Sequence, residues 1–337
     1  MVKRLAFRLG VVFLTIFAVS CTGGSRKPYY EANVSDIEKP EIQILRYEQI
    51  LFEANPFVLN ESLVPYMDDY HIFLEQTIDD ELAIQALFDF VTDPDIVALY
   101  MDSQDVWDDI DPLKTDIERA FRFYRFHFPD HDIPIFHTYI SGIDYMMPVK
   151  MVDDRMVIAL DSYLGSGYEQ YDRLGIPRYI SRWMRPESVV MDVMRTLADM
   201  HLAQLAGTPE SLLDHMIHEG KKQFFLDCMV PRTHDTLKIA YTGQQMNWME
   251  AYQGFAFTYK IENDLLYSTD RRVIRQFINR APFTTPFSNQ SAPRTGAWLG
   301  WQMVREYMRR HPDISLQELF EETDHQKVLA GSRFRPR

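Results

Sequence analysis

Three potential metal ligands lie close together near the middle of the chain: His215, His218 and Glu219. On an α-helix, residues three or four positions apart lie on adjacent turns of one face, so His215 and Glu219 share a face and His218 lies beside them. Zinc hydrolases hold the ion that activates water with imidazole nitrogens and carboxylate oxygens. If these side chains bind a metal, the protein is an enzyme. If they do not, a binding protein is the expected class.

The spacing of these ligands does not match a zinc peptidase motif. An HExxH peptidase carries two histidines four residues apart, with a glutamate beside the first as general base, and takes its third ligand from a later helix. This chain has HMIHE at 215–219, and the preceding helix has MDVMR at 191–195 where HExxH is expected. GxSxG, P-loop, GxGxxG and CxxC motifs are also absent. We therefore predict no metal, no cofactor and no catalytic residue. A zinc-dependent, peptidase-like hydrolase that uses His215, His218 and Glu219 is the alternative.

The same residues fit a peptidase-like site that lacks its metal ligands. A long helix, a tight turn and a second helix carrying Glu219-Gly220 form the arrangement that supplies the third ligand in HExxH peptidases. The groove left by such a site is a candidate protein-binding surface. Its candidate residues are His215, His218, Glu219, Gly220, Asp192, Arg195, Trp298 and Trp301. For the two tryptophans, core packing is the competing interpretation.

Two predicted helices position these groups. The first covers Glu187 to Leu205, and the second covers Thr208 to Asp227. Thr208 is an N-cap residue type and Pro209 suits the first helical position. Because the connection is short, we expect two antiparallel neighbours that pack through their apolar faces.

The remaining pattern predicts a predominantly helical α+β domain with a small sheet. Strands are expected at Ile133 to Ile143 and at Met156 to Leu160, and a shorter strand is expected around Ile42 and Ile44. Further helices are predicted at Leu113 to Phe128, Gln244 to Lys260, Arg271 to Ile278 and Gly296 to Arg309. With 337 residues, 46% of them hydrophobic, the chain is long enough for a large core. We place a single globular domain at residues 41–337.

The N-terminus resembles a bacterial lipoprotein signal. Lys3, Arg4 and Arg8 precede an apolar run that ends in small residues before Cys21. We predict a signal peptide at residues 1–20, a lipid on Cys21 and a flexible tether at residues 21–40, so that the lipid attaches the protein to a membrane. Acylation of Cys21 would leave Cys228 without a disulfide partner, and we expect Cys228 to be buried.

The charge of the chain excludes polyanionic partners. The net charge is −14, and it becomes −17 when the three basic residues of the leader are removed. Such a surface repels nucleic acid and anionic lipid headgroups. We therefore expect no nucleic-acid partner, and we expect the lipid rather than a basic patch to hold the protein at the membrane.

Six segments carry a family resemblance: ISG at 140–142, IALDSYLG at 158–165, MIHEGKK at 216–222, YTGQQMNWMEAY at 241–252, FINRAPF at 277–283 and PRTGAWLGWQMVREYM at 293–308. In this order, together with the lipobox at Cys21, they resemble the GldB family of gliding-motility lipoproteins from bacteroidete bacteria. That family is similar in layout to HExxH peptidases whose third ligand lies in an EG motif, and its members lack the histidines.

The resemblance implies a zincin-like (gluzincin-type) domain with a degenerate metal site. It also implies a non-catalytic, lipid-anchored protein of the cell envelope that binds envelope proteins of the gliding or secretion machinery. The residues after the lipobox, Ser25-Arg26-Lys27, lack the acidic run that resembles surface-export signals in these bacteria. We therefore expect attachment to the outer membrane, facing the periplasm.

Overall fold

Helices make up most of the secondary structure in the computed structural model, which describes residues 30–205 and 207–336. The predicted signal peptide and Cys21 lie outside these residues. The helices are α1 (Tyr47–Glu53), α2 (Leu59–Leu63), α3 (His71–Leu74), α4 (Glu81–Thr92), α5 (Pro94–Val106), α6 (Asp111–His127), α7 (Glu169–Arg173), α8 (Arg178–Ser181), α9 (Val189–Leu205), α10 (Leu212–Met229), α11 (Asp235–Ile239), α12 (Gly243–Glu262), α13 (Arg271–Ile278), α14 (Thr295–Arg310), α15 (Leu316–Glu321) and α16 (His325–Ser332). Short 3₁₀ turns lie at Pro56–Val58, Val64–Tyr66, Leu160–Tyr163 and Pro186–Ser188.

A small mixed sheet accompanies the helices. Its strands are β1 (Ile44–Arg46), β2 (Ile135–Tyr139), β3 (Val149–Val152) and β4 (Arg155–Ala159). Their order is β1-β2-β4-β3, in which β2 is parallel to β1 and β4, and β3 is antiparallel to β4. The predicted fold of many helices and a small sheet is confirmed. The sequence did not predict β3, because this four-residue segment depends on its pairing with β4.

The sheet separates two apolar layers. On one side, Phe136, Met156 and Ile158 belong to the main core, which also contains buried residues of α6, α9, α10 and α14. On the other side, Leu45 and Tyr139 pack against a smaller cluster from α1 to α4. The main core therefore lies on the side of the sheet that carries the long helices α9, α10 and α14.

Two glycines allow α10 and α14 to touch through their backbones. A Cβ at Gly300 would lie 1.7 Å from the carbonyl oxygen of Met216, and a Cβ at Gly220 would lie 2.4 Å from the carbonyl oxygen of Gly300. Any side chain at either position would overlap the facing helix. The helix α10 also contacts α9, as its short connection to that helix predicts.

The start of α10 differs from the prediction. The helix begins at Leu212, and its N-cap is Ser211 rather than Thr208. The hydroxyl of Ser211 accepts from the backbone N–H of Asp214, and the Asp214 carboxylate accepts from the backbone N–H of Ser211 at 2.8 Å. This reciprocal capping box satisfies N–H groups at the helix start, so the helix begins one turn later than the Thr-Pro pair suggested.

The described end of the predicted tether packs on the domain. Tyr30, Ala32 and Val34 contact the main core, and Arg122 of α6 donates to the backbone carbonyls of Ser35 and Ile37. The chain is thus held to the domain surface from Tyr30 onward. In the part of the chain that the structure describes, no helix has the length and apolar character needed to cross a bilayer.

Candidate functional site

A small polar cleft lies beside the N-terminal half of α9, and we call it the α9 cleft. Its cavity volume is about 20 Å³. A cavity of this size has room for a terminal chemical group but not for a whole ligand. Two predicted groove residues, Asp192 and Arg195, lie in it. The lining residues are Tyr145, Pro148, Ser162, Tyr163, Ile180, Trp183, Met184, Ser188, Met191, Asp192, Arg195, Leu237, Ala240 and Arg280.

The Asp192 carboxylate is held on several sides. Arg195 donates to its Oδ1 from Nη1 at 2.5 Å, and the hydroxyl of Tyr163 donates to its Oδ2 at 2.8 Å. Nη2 of Arg280 lies 4.0 Å from Oδ1. Two guanidinium groups therefore share one carboxylate, which leaves an excess of one positive charge on a strongly acidic protein.

Three polar atoms of the α9 cleft are buried without a hydrogen-bond partner among the described residues. They are Oγ of Ser162, Oγ of Ser188 and Nε of Arg195. The two serines are only 1% and 4% exposed. Buried polar groups are nearly always paired in proteins, and an unpaired one costs about 1–3 kcal/mol. Three such atoms in one cleft indicate that a bound group or water completes them.

A second shallow cleft adjoins the first. The two share Trp183, Ala240 and Arg280. Arg182, Gln245 and Arg294 are among the other residues that line the second cleft. The surface around Arg280 is therefore a continuous polar region rich in arginine.

Glu219 forms an ion-pair cluster of its own. Its carboxylate accepts from Nη2 of Arg294 at 2.7 Å and lies 2.5 Å from Nζ of Lys222, which also contacts Asp199. Burial alone would raise the pKa of Glu219, but Lys222 and Arg294 together lower it to about 2. Both carboxylate oxygens are thus engaged by cations.

Short contacts connect the Glu219 cluster to the α9 cleft. Arg195 donates to the backbone carbonyl of Lys238, and Arg294 donates to that of the next residue, Ile239, at 3.4 Å. Ala240 then turns the chain with a φ of +60°. The structure therefore brings Asp192 and Arg195 of α9 and Glu219 of α10 to opposite sides of one backbone turn.

The two histidines of α10 lie outside the α9 cleft. Both are half-buried, and burial lowers the pKa of each, that of His218 to about 4, so His218 is neutral at physiological pH. Over residues 30–205 and 207–336, no group of three or more His, Cys, Asp or Glu side chains could hold a metal ion. Because Glu219 is already paired with Arg294 and Lys222, this geometry gives the zinc alternative no support.

Three predicted groove residues are packed in the interior instead. Gly220 lies at the crossing of α10 and α14, while Trp298 and Trp301 are buried in the main core. The physical reason is the position of α14, which is enclosed by α10, α12, α13 and α16. The core-packing interpretation of the two tryptophans is therefore the correct one.

A buried ion network near the end of α10 was not predicted. The carboxylate of Asp227 accepts from Lys238, from two nitrogens of Arg305 and from the indole N–H of Trp301, at distances of 2.6 to 2.8 Å. Arg305 also donates to both oxygens of Asp235. We call this set the Asp227 network. The sequence signal was an acid within the apolar run FFLDCM.

The neighbouring Cys228 is buried as expected, and burial raises the pKa of its thiol.

A larger groove adjoins the α9 cleft and shares Met191 and Leu237 with it. It has a volume of about 990 Å³ and lies between the segment 31–35, α6, the start of α9 and the loop that follows α10. Apolar residues such as Trp107, Phe123 and Val190 line it together with charged rim residues. Sequence reasoning did not find this groove, because the N-terminal segment that forms one wall was assigned to a tether.

The sequence did contain a signal for the remaining cleft residues. Ser162, Tyr163, Arg280 and Arg294 all fall within segments that carry the family resemblance, although the first prediction did not single them out. Those segments lie far apart in the chain and meet at the two clefts.

Comparison with known proteins agrees with that resemblance. The family model described as gliding motility protein GldB matches residues 28–336, which is nearly the whole chain. No curated protein matches the chain significantly. A search of solved structures also gave no significant match.

Proposed function

The chain belongs to the gliding motility protein GldB family, and we propose that it is a lipid-anchored protein of the cell envelope that supports gliding or secretion machinery by binding another protein. The match to residues 28–336 is the observation that carries this proposal. The two small, arginine-rich clefts are the proposed contact points for that protein, and the excess of acidic residues keeps nucleic acid away.

The proposed anchor sets how far the domain can lie from the bilayer. Tyr30 is nine positions after Cys21, and an extended chain spans at most about 32 Å over nine steps. Tyr30 packs on the main core, so the surrounding face stays within that distance of the lipid. We place the anchor in the outer membrane, with the domain in the periplasm.

A non-catalytic, zincin-like scaffold is part of the proposal. It is supported by the order of the helices, since α9 carries MDVMR where HExxH is expected and α10 carries Glu219 where the third ligand would lie. Arg195 stands at the last position of MDVMR, where the second histidine would be. A guanidinium there favours anion binding over metal binding.

Complementation of a deletion strain tests both the anchor and the role. A chromosomal deletion in the source bacterium is expected to abolish colony spreading, and the wild-type gene should restore it. Cys21→Ser should move the protein out of the membrane fraction and restore spreading poorly. Cys228→Ser is the matched control, because it changes the other cysteine without touching the lipidation site, and it should remain in the membrane fraction.

Three outcomes would contradict the proposal. A deletion strain that spreads normally would contradict the motility role. Full membrane retention of Cys21→Ser would contradict the lipid anchor. Stoichiometric zinc in the purified wild-type protein, lost on His218→Ala, would favour a metal-dependent hydrolase over a binding protein.

A further inference from the structure

We propose that the α9 cleft binds the C-terminal carboxylate of a peptide partner through Arg195, Arg280 and the hydroxyls of Ser162 and Ser188. The inference rests on the proposed function, since it names the chemical group by which a protein partner is recognised. C-terminal carboxylate capture is a recurring mode of peptide recognition.

The donors for such a group are already in place. The buried hydroxyls of Ser162 and Ser188 and Nε of Arg195 have no partner among the described residues, and all three side chains line the same cleft. Arg195 is fixed by its bonds to Asp192 and to the Lys238 carbonyl, so its Nε is held in position before a ligand binds. A preorganised donor set reduces the entropic cost of binding.

The charge of the cleft selects an anion. The carboxylate of Asp192 is shared by Arg195 and Arg280, which leaves one unit of positive charge. Arg280 is 47% exposed, and among the described residues its one ion pair is the long contact with Asp192, so it can turn toward an incoming group. Hydrogen bonds between a guanidinium and a carboxylate are about twice as strong as neutral ones.

The size and sign of the site favour a carboxylate over a phosphate. A volume of about 20 Å³ accommodates one or two oxygen atoms. A phosphate monoester would bring a charge of about −1.5 to −2 and three acceptor oxygens next to Asp192, which repels it. A carboxylate brings one charge and two oxygens, which matches the single excess positive charge.

The walls of the cleft favour a peptide whose last residue has an apolar side chain. Ile180, Trp183 and Met184 lie beside the polar donors and offer an apolar surface to the last residue of a peptide. The adjoining cleft continues from Arg280 toward Arg182 and Gln245, whose polar groups suit the preceding backbone. The two clefts meet at Trp183, Ala240 and Arg280, so the residues that precede the bound terminus would lie over the surface around Arg280.

Peptide pools test this assignment on the detergent-solubilised full-length protein. A pool of random hexapeptides with free C-termini is offered at physiological salt, and the same pool with amidated C-termini is offered separately. Bound peptides are quantified by mass spectrometry. We expect at least about 10-fold more retention of the free-acid pool, because each hydrogen bond to a charged group contributes substantially.

Variants locate the binding. Arg280→Gln should reduce retention of the free-acid pool about 10- to 100-fold, and Ser188→Ala should reduce it several-fold. Arg271→Gln is the matched control, because it removes an exposed arginine from the start of α13 and should leave retention unchanged. Thermal unfolding of each variant shows whether it is folded, and the exposure of Arg280 makes its replacement well tolerated.

The alternatives give distinct results. Equal retention of amidated peptides would overturn the C-terminal assignment and point to acidic side chains. Displacement of the peptides by millimolar inorganic phosphate would overturn the assignment of a carboxylate ligand and would favour a phosphoryl group. Retention of neither pool would mean that only water occupies the cleft. In that case the proposed envelope function still stands if the Cys21→Ser and deletion results hold, so the two failures are distinguishable.

Discussion

The Asp227 network and the α9 cleft contain the same chemical groups in two different states. Each has an aspartate, fully buried in the network and half-buried in the cleft, that accepts from an arginine and from an aromatic side chain. In the Asp227 network, both carboxylate oxygens are paired at 2.6 to 2.8 Å, and Lys238 is completely buried against them. In the α9 cleft, three buried donors lack partners among the described residues.

This difference separates a structural cluster from a binding site. A complete set of hydrogen bonds leaves nothing for a ligand to gain, whereas unpaired donors retain their desolvation cost until something binds. The arginines differ in the same way. Arg305 stacks on Trp301 at 3.8 Å and pairs with two aspartates, while Arg280 is half-exposed.

The largest effect is expected in the Asp227 network. Asp227→Asn keeps the shape of the side chain but leaves Lys238 and Arg305 beside a neutral amide in the interior. Removing one partner of a buried ion pair costs about 3–5 kcal/mol. Urea unfolding monitored by circular dichroism should therefore show a loss of that size.

An exposed pair provides the control for that prediction. Asp116→Asn breaks the surface pair with Arg119 on α6 and should change the free energy of unfolding by less than about 0.5 kcal/mol. A loss below 1 kcal/mol for Asp227→Asn would show that the network is not the stabilising cluster its geometry indicates.

The second effect concerns Glu219, which lies between the two regions. Its pKa falls from 4.5 to about 2 in the folded protein, so the folded state binds fewer protons than the unfolded state between these values. Stability from this group is therefore complete above about pH 4.5 and is lost as the pH falls through 2. The shift corresponds to about 3 kcal/mol.

The comparison of wild type with Glu219→Gln isolates this contribution. The difference in unfolding free energy between the two proteins should shrink by about 3 kcal/mol when urea titrations are carried from pH 5 down to pH 2. A difference that stays constant with pH would mean that Arg294 and Lys222 do not hold the carboxylate in its charged form.

Local pattern predicted the elements better than it predicted their contacts. The helix α13 has the predicted limits, Arg271 and Ile278, because Asp270 caps it and its apolar residues recur at helical spacing. The predicted N-terminus of α10 was wrong, because the capping box at Ser211 starts the helix there and not at Thr208. In each case the deciding interaction lies within a few residues, so the right rule was available in the sequence.

Long-range pairs explain what the sequence could not supply. Arg294 is 75 residues from Glu219, and Arg305 is 78 residues from Asp227. Helical spacing on α10 suggested that Glu219 adjoins His215 and His218, which is true of the helix surface. Helical spacing could not show that Arg294, which lies in a loop, would form an ion pair with the Glu219 carboxylate. The placement of Ser162 and Arg280 in the α9 cleft likewise depends on segments that meet only in the fold.

The smallest effect is expected in the α9 cleft, and it tests the comparison most directly. Ser188→Ala removes a buried hydroxyl that has no partner among the described residues, so it relieves a desolvation cost and should raise the free energy of unfolding by about 1 kcal/mol. Ser291→Ala is the matched case, because that equally buried hydroxyl accepts from the Thr284 N–H at 3.0 Å and donates to the Ser288 carbonyl at 2.6 Å. Its loss should cost about 1–3 kcal/mol in the same urea titration. If the two variants lost equal stability, the Ser188 hydroxyl would already be satisfied in the unliganded protein, and the α9 cleft would be a structural cluster like the Asp227 network.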